Sequence, residues 1–324
     1  MKKRFIREKL VNFILIMVIS LQALDCFYAA DENDYSMFYT QANNPNIVFA
    51  GAQDITIPTE DEILAGKSTR EIFDYYMENQ QYIMHAGGSI DGRNYTNSLE
   101  ALTTNYEQGN RIFEIDLNFT SDGHLVLIHG WTEYDYKYRL GINYNDKNPV
   151  MSLEQFKKTK IYNKYTTMTI EDLIKFMREH KYSYFILNIK GGSNHKVSTR
   201  AIKQVVAAAK NDKNILNRFI IWGYNTKVIK EVKKIYKFDL IALNIKSYAN
   251  MEKKLDTHKE IIEYIKKQGI DIIMYQYNDF NLKTSKEAAK AGIETFIYTV
   301  ESKNFAKPYF AQGVKMAFTN KLRN

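Results

Sequence analysis

Six polar side chains stand at or near the ends of short apolar runs, where strands would hand them to one common face. They are His85 in YIMHAG, Glu114 and Asp116 in IFEIDL, His129 in LVLIHG, and Asn188 and Lys190 in YFILNIK. Glu114 and Asp116 are two residues apart, as are Asn188 and Lys190, so on a strand the members of each pair point the same way. Two carboxylates on one interior face are costly unless a positive charge compensates them. A hard divalent cation, Mg²⁺ or Ca²⁺, is one compensation, because such ions prefer carboxylate oxygens; a buried ion pair with Lys190 is the other. Two imidazoles flanking a metal-bound phosphate could divide the proton work, one taking the nucleophile's proton and the other protonating the leaving oxygen. The metal and Lys190 would offset charge on the phosphoryl oxygens. His85 or His129 taken singly reads as a structural histidine; the convergence of the set carries the catalytic reading. Asn97 reads as a helix N-cap. Trp222 and Tyr275, near strand ends, fit either barrel packing or the lining of a substrate pocket.

The elements that must position these residues follow one rhythm. Eight apolar, β-rich runs (YIMHAG, IFEIDL, YFILNIK, FIIWGY, LIALNIK, IIMYQY, TFIYTV and KMAFTN) alternate with amphipathic helical stretches from Tyr82 to the end of the chain. Several helices open with a cap and an acid three residues on: Ser68 with Glu71, Asn97 with Glu100, Thr169 with Asp172, Thr257 with Glu260, Thr284 with Glu287. Gly109, Gly269, Gly292 and Gly313 sit between a helix and the next strand, where a left-handed residue is required. Near-continuous apolar strands imply burial on both faces, hence a parallel sheet with helices outside, and eight such units point to a closed (β/α)₈ TIM barrel of the α/β class. A doubly wound sheet is the alternative, but no glycine-rich dinucleotide turn is present. In a barrel the reactive groups sit at the C-terminal strand ends, which is where the six residues fall. Ser121-Asp122-Gly123 reads as a turn that doubles the second strand back and ends at His129. Residues 131–166, rich in Tyr, Asn, Asp and Lys, read as an insertion over the barrel mouth.

Ahead of the barrel, residues 1–30 have a basic start, an apolar run from Phe13 to Leu24 and small residues at Ala29 and Ala30, the pattern of a signal peptide or, second, an N-terminal anchor. An exported protein is expected, periplasmic, extracellular or envelope-associated. Residues 31–81 form an extension with a helix over 69–80, and 82–324 the barrel domain. The formal charge of +8 falls to about +5 once the five basic residues, Glu8 and Asp25 of the first thirty are set aside. That suits an anionic substrate or envelope surface. The lysines are scattered along helices with no basic stripe interleaved with aromatics, so nucleic acid is not an expected partner. Cys26 is the only cysteine, so no intramolecular disulfide is available.

Read in order, these residues resemble the glycerophosphodiester phosphodiesterase family and its phospholipase C-like and phospholipase D barrel relatives, over most of residues 82–320. The resemblance runs through His85-Ala86-Gly87, Asn97-Ser98-Leu99-Glu100-Ala101, Glu114-Ile115-Asp116, Thr120-Ser121-Asp122-Gly123, His129, Asn188-Ile189-Lys190, Ile297-Tyr298-Thr299-Val300 and Phe318-Thr319-Asn320. It implies a phosphoric diester hydrolase in which His85 is the base and His129 the acid, Glu114 and Asp116 bind a divalent metal, and Lys190 contacts phosphate. Three positions depart from the family pattern. Ala86 stands where an arginine is usual, Gly130 where an aspartate is common, and Asn188 in place of a third acidic ligand, whose neutral amide oxygen can still ligate Mg²⁺ or Ca²⁺. The departures direct the expected substrate from glycerophosphodiesters toward phospholipid headgroups or polymer-linked phosphodiesters. Alternatives of other classes are a barrel that binds such ligands without cleaving them, and a lyase that forms a cyclic phosphate.

Overall fold

The structure is a computed structural model that describes residues 58–245 and 257–324. The expected signal or anchor over 1–30, most of the extension, and Lys246 lie outside the described residues. The chain divides into two compact units, Met1–Ile63 and Leu64–Asn324.

In the second unit eight parallel strands close on themselves: β1 (Tyr82–Met84), β2 (Ile112–Phe119), β6 (Tyr184–Ile189), β7 (Phe219–Gly223), β8 (Leu240–Asn244), β9 (Ile272–Gln276), β10 (Glu294–Tyr298) and β11 (Met316–Thr319). β1 pairs with both β2 and β11, which removes every edge. These eight are the eight runs expected from the sequence. The hydrophobic periodicity also gives the helices: α1 (Thr69–Asn79), α2 (Leu99–Glu107), α5 (Ile170–Glu179), α6 (His195–Ala208), α8 (Thr226–Lys233), α9 (His258–Lys267), α10 (Leu282–Lys290) and α11 (Lys303–Ala311), with a short α7 (Lys213–Leu216) before β7.

Each strand alternates between a greasy outer face and a mixed inner one. Phe113, Ile115 and Leu117 of β2 and Phe185, Leu187 and Ile189 of β6 face the helices in one continuous core. Burying each of them contributes about 1.5–3 kcal/mol. Between them in sequence, Glu114, Asp116 and Asn188 face inward, in paired register Glu114 beside Ile186 and Asp116 beside Asn188. Helix caps form as expected at Ser68, Thr169 and Thr257, each with its reciprocal acid. Two do not. Helix α2 is capped by Ser98, because Asn97 is left-handed (φ 48°) and its side chain is taken by Asp116. Helix α10 is capped by Asn281, with Thr284 already inside its first turn.

The compact unit that holds the barrel starts at Leu64 and so takes in helix α1 as well. Helix α1 packs on the end of the barrel opposite the site: the Tyr184 hydroxyl donates to Thr69 O (2.6 Å), Phe73 lies on the Tyr184 ring, and Arg70 reaches Asp271 (3.1 Å). At the other end, β2 runs on past the barrel and β3 (Leu125–Leu127) returns antiparallel to it, pairing Leu117 with Leu127, as the turn at 121–123 implies. The insertion follows as α3 (Glu133–Asp135), a π-helical turn Tyr136–Leu140, α4 (Leu153–Lys158) and the hairpin β4–β5 (Lys160–Ile161, Tyr165–Thr166). It carries its own small core of Val126, Ile128, Tyr136, Leu140, Phe156, Ile161 and Tyr165, so it is a packed cap rather than a loose loop.

The turn after β1 is held from beneath by Asn105 of α2, whose amide donates to Gly87 O (3.0 Å) and Ala101 O (2.8 Å). Gly88 there is left-handed (φ 83°), and an added Cβ would lie 2.6 Å from Asn105 Nδ2. Gly88→Ala is therefore expected to lose at least about 1–2 kcal/mol of stability from the backbone conformation alone, measured by urea unfolding.

Candidate active site

His85 leaves β1 in a 3₁₀ turn in which Ala86 is forced left-handed (φ 49°), a conformation that sends the Ala86 N–H to Glu114 Oε2 at 2.8 Å. Its ring is held from the last strand. Asn320 donates both its backbone N–H (3.1 Å) and its amide N–H (2.6 Å) to Glu301 Oε1, so its Oδ1 is turned toward His85 Nδ1 at 3.2 Å. An amide oxygen only accepts, so Nδ1 carries the proton and the Nε2 lone pair is left for chemistry. Nε2 lies 3.6 Å from Glu114 Oε2. Burial pushes the His85 imidazole below its ordinary value, against the pull of Asp116.

Glu114 and Asp116 are both fully buried, and their surroundings push their pKa values in opposite directions. Asp116 is bonded on every side: Lys190 Nζ at 2.5 Å and Asn188 Nδ2 at 3.3 Å on one oxygen, Asn97 Nδ2 at 3.1 Å on the other, while its own N–H donates to Asn97 Oδ1 (2.9 Å). Burial alone would raise its pKa; Lys190 and the two histidines overcome that and hold it below the usual carboxylate range. Glu114 is less well compensated: Lys190 and the Ala86 N–H favour its charged form but do not prevail. Burial and then the neighbouring Asp116 push it up to about 8, and its Oε1 is buried without a hydrogen-bond partner.

His129, two residues past β3, presents Nδ1 to Asp135 Oδ1 (3.1 Å) and to Arg139 Nη1 (2.5 Å), both from the insertion. Burial lowers its pKa too, Asp116 opposing. Tyr95, left-handed in the β1–α2 loop, stands edge-on between the two imidazoles, 4.7 Å from His85 and 5.8 Å from His129 by ring centres. The structure thus gathers His85, Glu114, Asp116, His129, Asn188 and Lys190 at one mouth.

Two expectations need correction. Tyr275 does not line the pocket: it is on the outer face of β9, alternating with inward Met274 and Gln276, and packs on Phe280 in the core beneath the helices, where burial pushes its hydroxyl up to about 12. Its strand was legible in the sequence, but its phase was not, since both faces of a buried strand are apolar. Asn97 is no N-cap but a clamp on Asp116. Trp222 does face inward, against Tyr298 and Phe318 (5.1 and 5.7 Å between ring centres), with its indole N–H buried and unpartnered. Sequence reasoning missed Tyr95, Asp135, Arg139, Tyr224, Glu301 and Asn320. Of these Tyr224 and Asn320 lay at the ends of quoted runs; the others sit in the insertion or in loops where no spacing rule applies.

The donor set fits a divalent cation through its carboxylates. Orphaned Glu114 Oε1 is an acceptor awaiting a positive charge, and Asp116 is its ionised neighbour. Among the described residues no three acidic, histidine or cysteine side chains close a cage, so a third protein oxygen would have to be neutral. Asn188 turns its amide nitrogen to Asp116 and gives its oxygen to the Tyr224 hydroxyl at 2.6 Å, so here it is a hydrogen-bond partner; a half-turn of the amide would exchange the two.

A parallel eight-stranded barrel with imidazoles, carboxylates and an ammonium at its C-terminal rim defines the class, a phosphoric diester hydrolase on the TIM-barrel scaffold. The model of the glycerophosphoryl diester phosphodiesterase family matches residues 85–323, and the chain belongs to that family. Among solved structures it is similar to an Oleispira antarctica phosphodiesterase in complex with the product sn-glycerol-3-phosphate (16% identity, 74% of this chain and 93% of that chain, TM-score 0.58). It is also similar to a glycerophosphodiester phosphodiesterase from Parabacteroides distasonis (18% identity, 74% and 92%, TM-score 0.58). At these identities the likeness is one of fold. No curated protein sequence matches.

The raised Glu114 pKa has a measurable consequence. A carboxyl held protonated in the fold stabilises below its unfolded pKa, and that contribution is lost as pH rises from about 4.5 through about 8. Without added metal, Glu114→Gln is expected to melt above the wild type at about pH 8 and level with it at about pH 5. Added Mg²⁺ or Ca²⁺ is expected to raise the melting temperature of the wild type alone.

Proposed function

We propose that the protein hydrolyses a glycerophosphodiester, a phospholipid headgroup or an envelope-polymer phosphodiester, with His85 as base, His129 as acid and a divalent metal, Mg²⁺ or Ca²⁺, at Glu114 and Asp116. One observation carries this reading. Both imidazoles are held through Nδ1, by Asn320 and by Asp135, which leaves both Nε2 atoms for a substrate on either side of Tyr95. Sn-glycerol-3-phosphate, the product held by the Oleispira relative, is the expected product for a glycerol-linked substrate. Export to the envelope or beyond it rests on the sequence of residues 1–30, and a peripheral contact with the membrane or envelope would follow from a lipid or polymer substrate.

His85 Nε2 takes a proton from the attacking water while the new P–O bond forms. As the ester P–O bond breaks, protonated His129 delivers its Nε2 proton to the leaving oxygen. Bound at the carboxylates, the metal would supply Lewis-acid polarisation of the phosphoryl group. Lys190, between Asp116 and the mouth and one-fifth exposed, offsets charge on the phosphoryl oxygens. The unpartnered Trp222 N–H is a donor for the alcohol or phosphate.

The test is turnover of a panel of glycerophosphodiesters, lysophospholipids and polyol-phosphate polymers with added Mg²⁺ or Ca²⁺, products read by phosphorus NMR. His85→Ala and His129→Ala are each expected to lower kcat by about 10²–10⁴ without unfolding the protein, and a chelator to abolish turnover. Binding without turnover across the panel would sink the hydrolytic reading in favour of a binding barrel; a cyclic phosphate product would make the enzyme a lyase.

The pH profile of kcat/KM has a predicted sign. His85 must be neutral and His129 charged, and burial lowers both from the ordinary imidazole value. The optimum is therefore expected on the acid side of about 6.5; an optimum above neutrality would contradict the assignment.

A further inference from the structure

The insertion does more than cover the mouth. Asp135 is the last residue of α3, 3% exposed, and its two oxygens have different tasks. Oδ2 accepts from Thr132 N (3.0 Å) and Thr132 Oγ1 (2.6 Å), fixing the carboxylate as the acid of a capping box. Oδ1 faces His129 Nδ1 at 3.1 Å. Arg139, one turn later in the π-helical turn, ion-pairs with Asp135, reaches His129 Nδ1, and lies between the rings of Tyr95 and Tyr134 (4.7 and 5.2 Å). The residue after the histidine is tuned to this arrangement. A Cβ built on Gly130 would fall on Asp135 Oδ2 and lie 3.0 Å from Asp135 Cγ, so the carboxylate fills the space that a side chain at 130 would need.

We propose that Asp135, delivered by the insertion, is the positioning residue for His129: it holds the imidazole by Nδ1, directs Nε2 at the leaving oxygen, and supports the imidazolium that donates the proton. The proposal rests on the reading of His129 as the acid. Asp135 touches His129 and not the substrate, so its loss acts on the proton-donating step. In a neutral ring Nδ1 can accept from Arg139; in the charged ring Nδ1–H can only donate, and Asp135 is the acceptor within reach. Asp135 thus favours the donating form, as the carboxylate partner of a catalytic histidine does.

The experiment compares two phosphodiesters on the full chain with added Mg²⁺: one with an alkyl alcohol as leaving group, one with nitrophenol, whose anion departs without a proton. Asp135→Ala and the near-isosteric Asp135→Asn are expected to lower kcat on the alkyl ester by about 10–100-fold, with KM within about two-fold, and to leave the nitrophenyl ester nearly unchanged. Moving the carboxylate should rescue. Gly130→Asp combined with Asp135→Ala is expected to recover about ten-fold or more of the lost alkyl-ester turnover, whereas Gly130→Asp alone is expected to impair it by crowding two carboxylates into one space. Equal loss on both esters, a change confined to KM, or a loss only of melting temperature would reduce Asp135 to a cap of the insertion and overturn the proposal. Wild-type protein that cleaves neither ester would instead strike down the hydrolytic reading, and the proposal with it.

Discussion

Everything at the barrel mouth depends on two carboxyl groups placed side by side in an interior that excludes water. Two buried anions at this separation do not coexist unaided. The protein resolves the conflict unevenly, surrounding Asp116 with Lys190, Asn188 and Asn97 while leaving Glu114 to keep a proton or receive a cation. The rest of the site follows from that inequality. The left-handed Ala86 turns a backbone N–H toward Glu114, and Tyr224 turns the Asn188 amide so that its hydrogens meet Asp116. A left-handed residue in one loop and a hydroxyl just past a neighbouring strand thus both serve one electrostatic problem.

Much of the fold was legible because period and punctuation agree. Eight apolar runs, separated by amphipathic stretches with capping acids and closing glycines, admit few arrangements besides a closed barrel, and all eight runs became strands. The i, i+2 spacings placed Glu114, Asp116, Asn188 and Lys190 on one inner face, as they are found. What failed was phase. On IIMYQY both faces are buried, so nothing in the residue types said that Tyr275 faces outward. Asn97 misled because asparagine before a helix satisfies capping statistics, and only a contact with Asp116, nineteen positions away, redirects it.

The loop-borne half of the site was illegible for a different reason. Tyr95, Asp135 and Arg139 reach the histidines from segments with no repeating pattern, and Glu301 acts through Asn320 rather than by touching the ring. Partners of that kind are fixed by three-dimensional packing, here the insertion's own core around Tyr136 and Phe156. The same segments hold the three departures from the family pattern in context: Gly130 leaves room that Asp135 fills, Asn188 is bound by Tyr224, and Ala86 occupies a left-handed position with no exposed surface.

The two histidines also differ in how far along the chain their partners lie. His129 finds Asp135 six residues on, inside a hairpin and insertion that can pack locally. His85 finds Asn320 across 235 residues, at a contact that exists only once β11 has paired with β1. His129 can therefore be seated by local packing while most of the barrel is still unmade. His85 acquires its fixed tautomer only when the first and last strands of the barrel meet, so the seating of that ring reports closure of the barrel, whereas the seating of His129 does not.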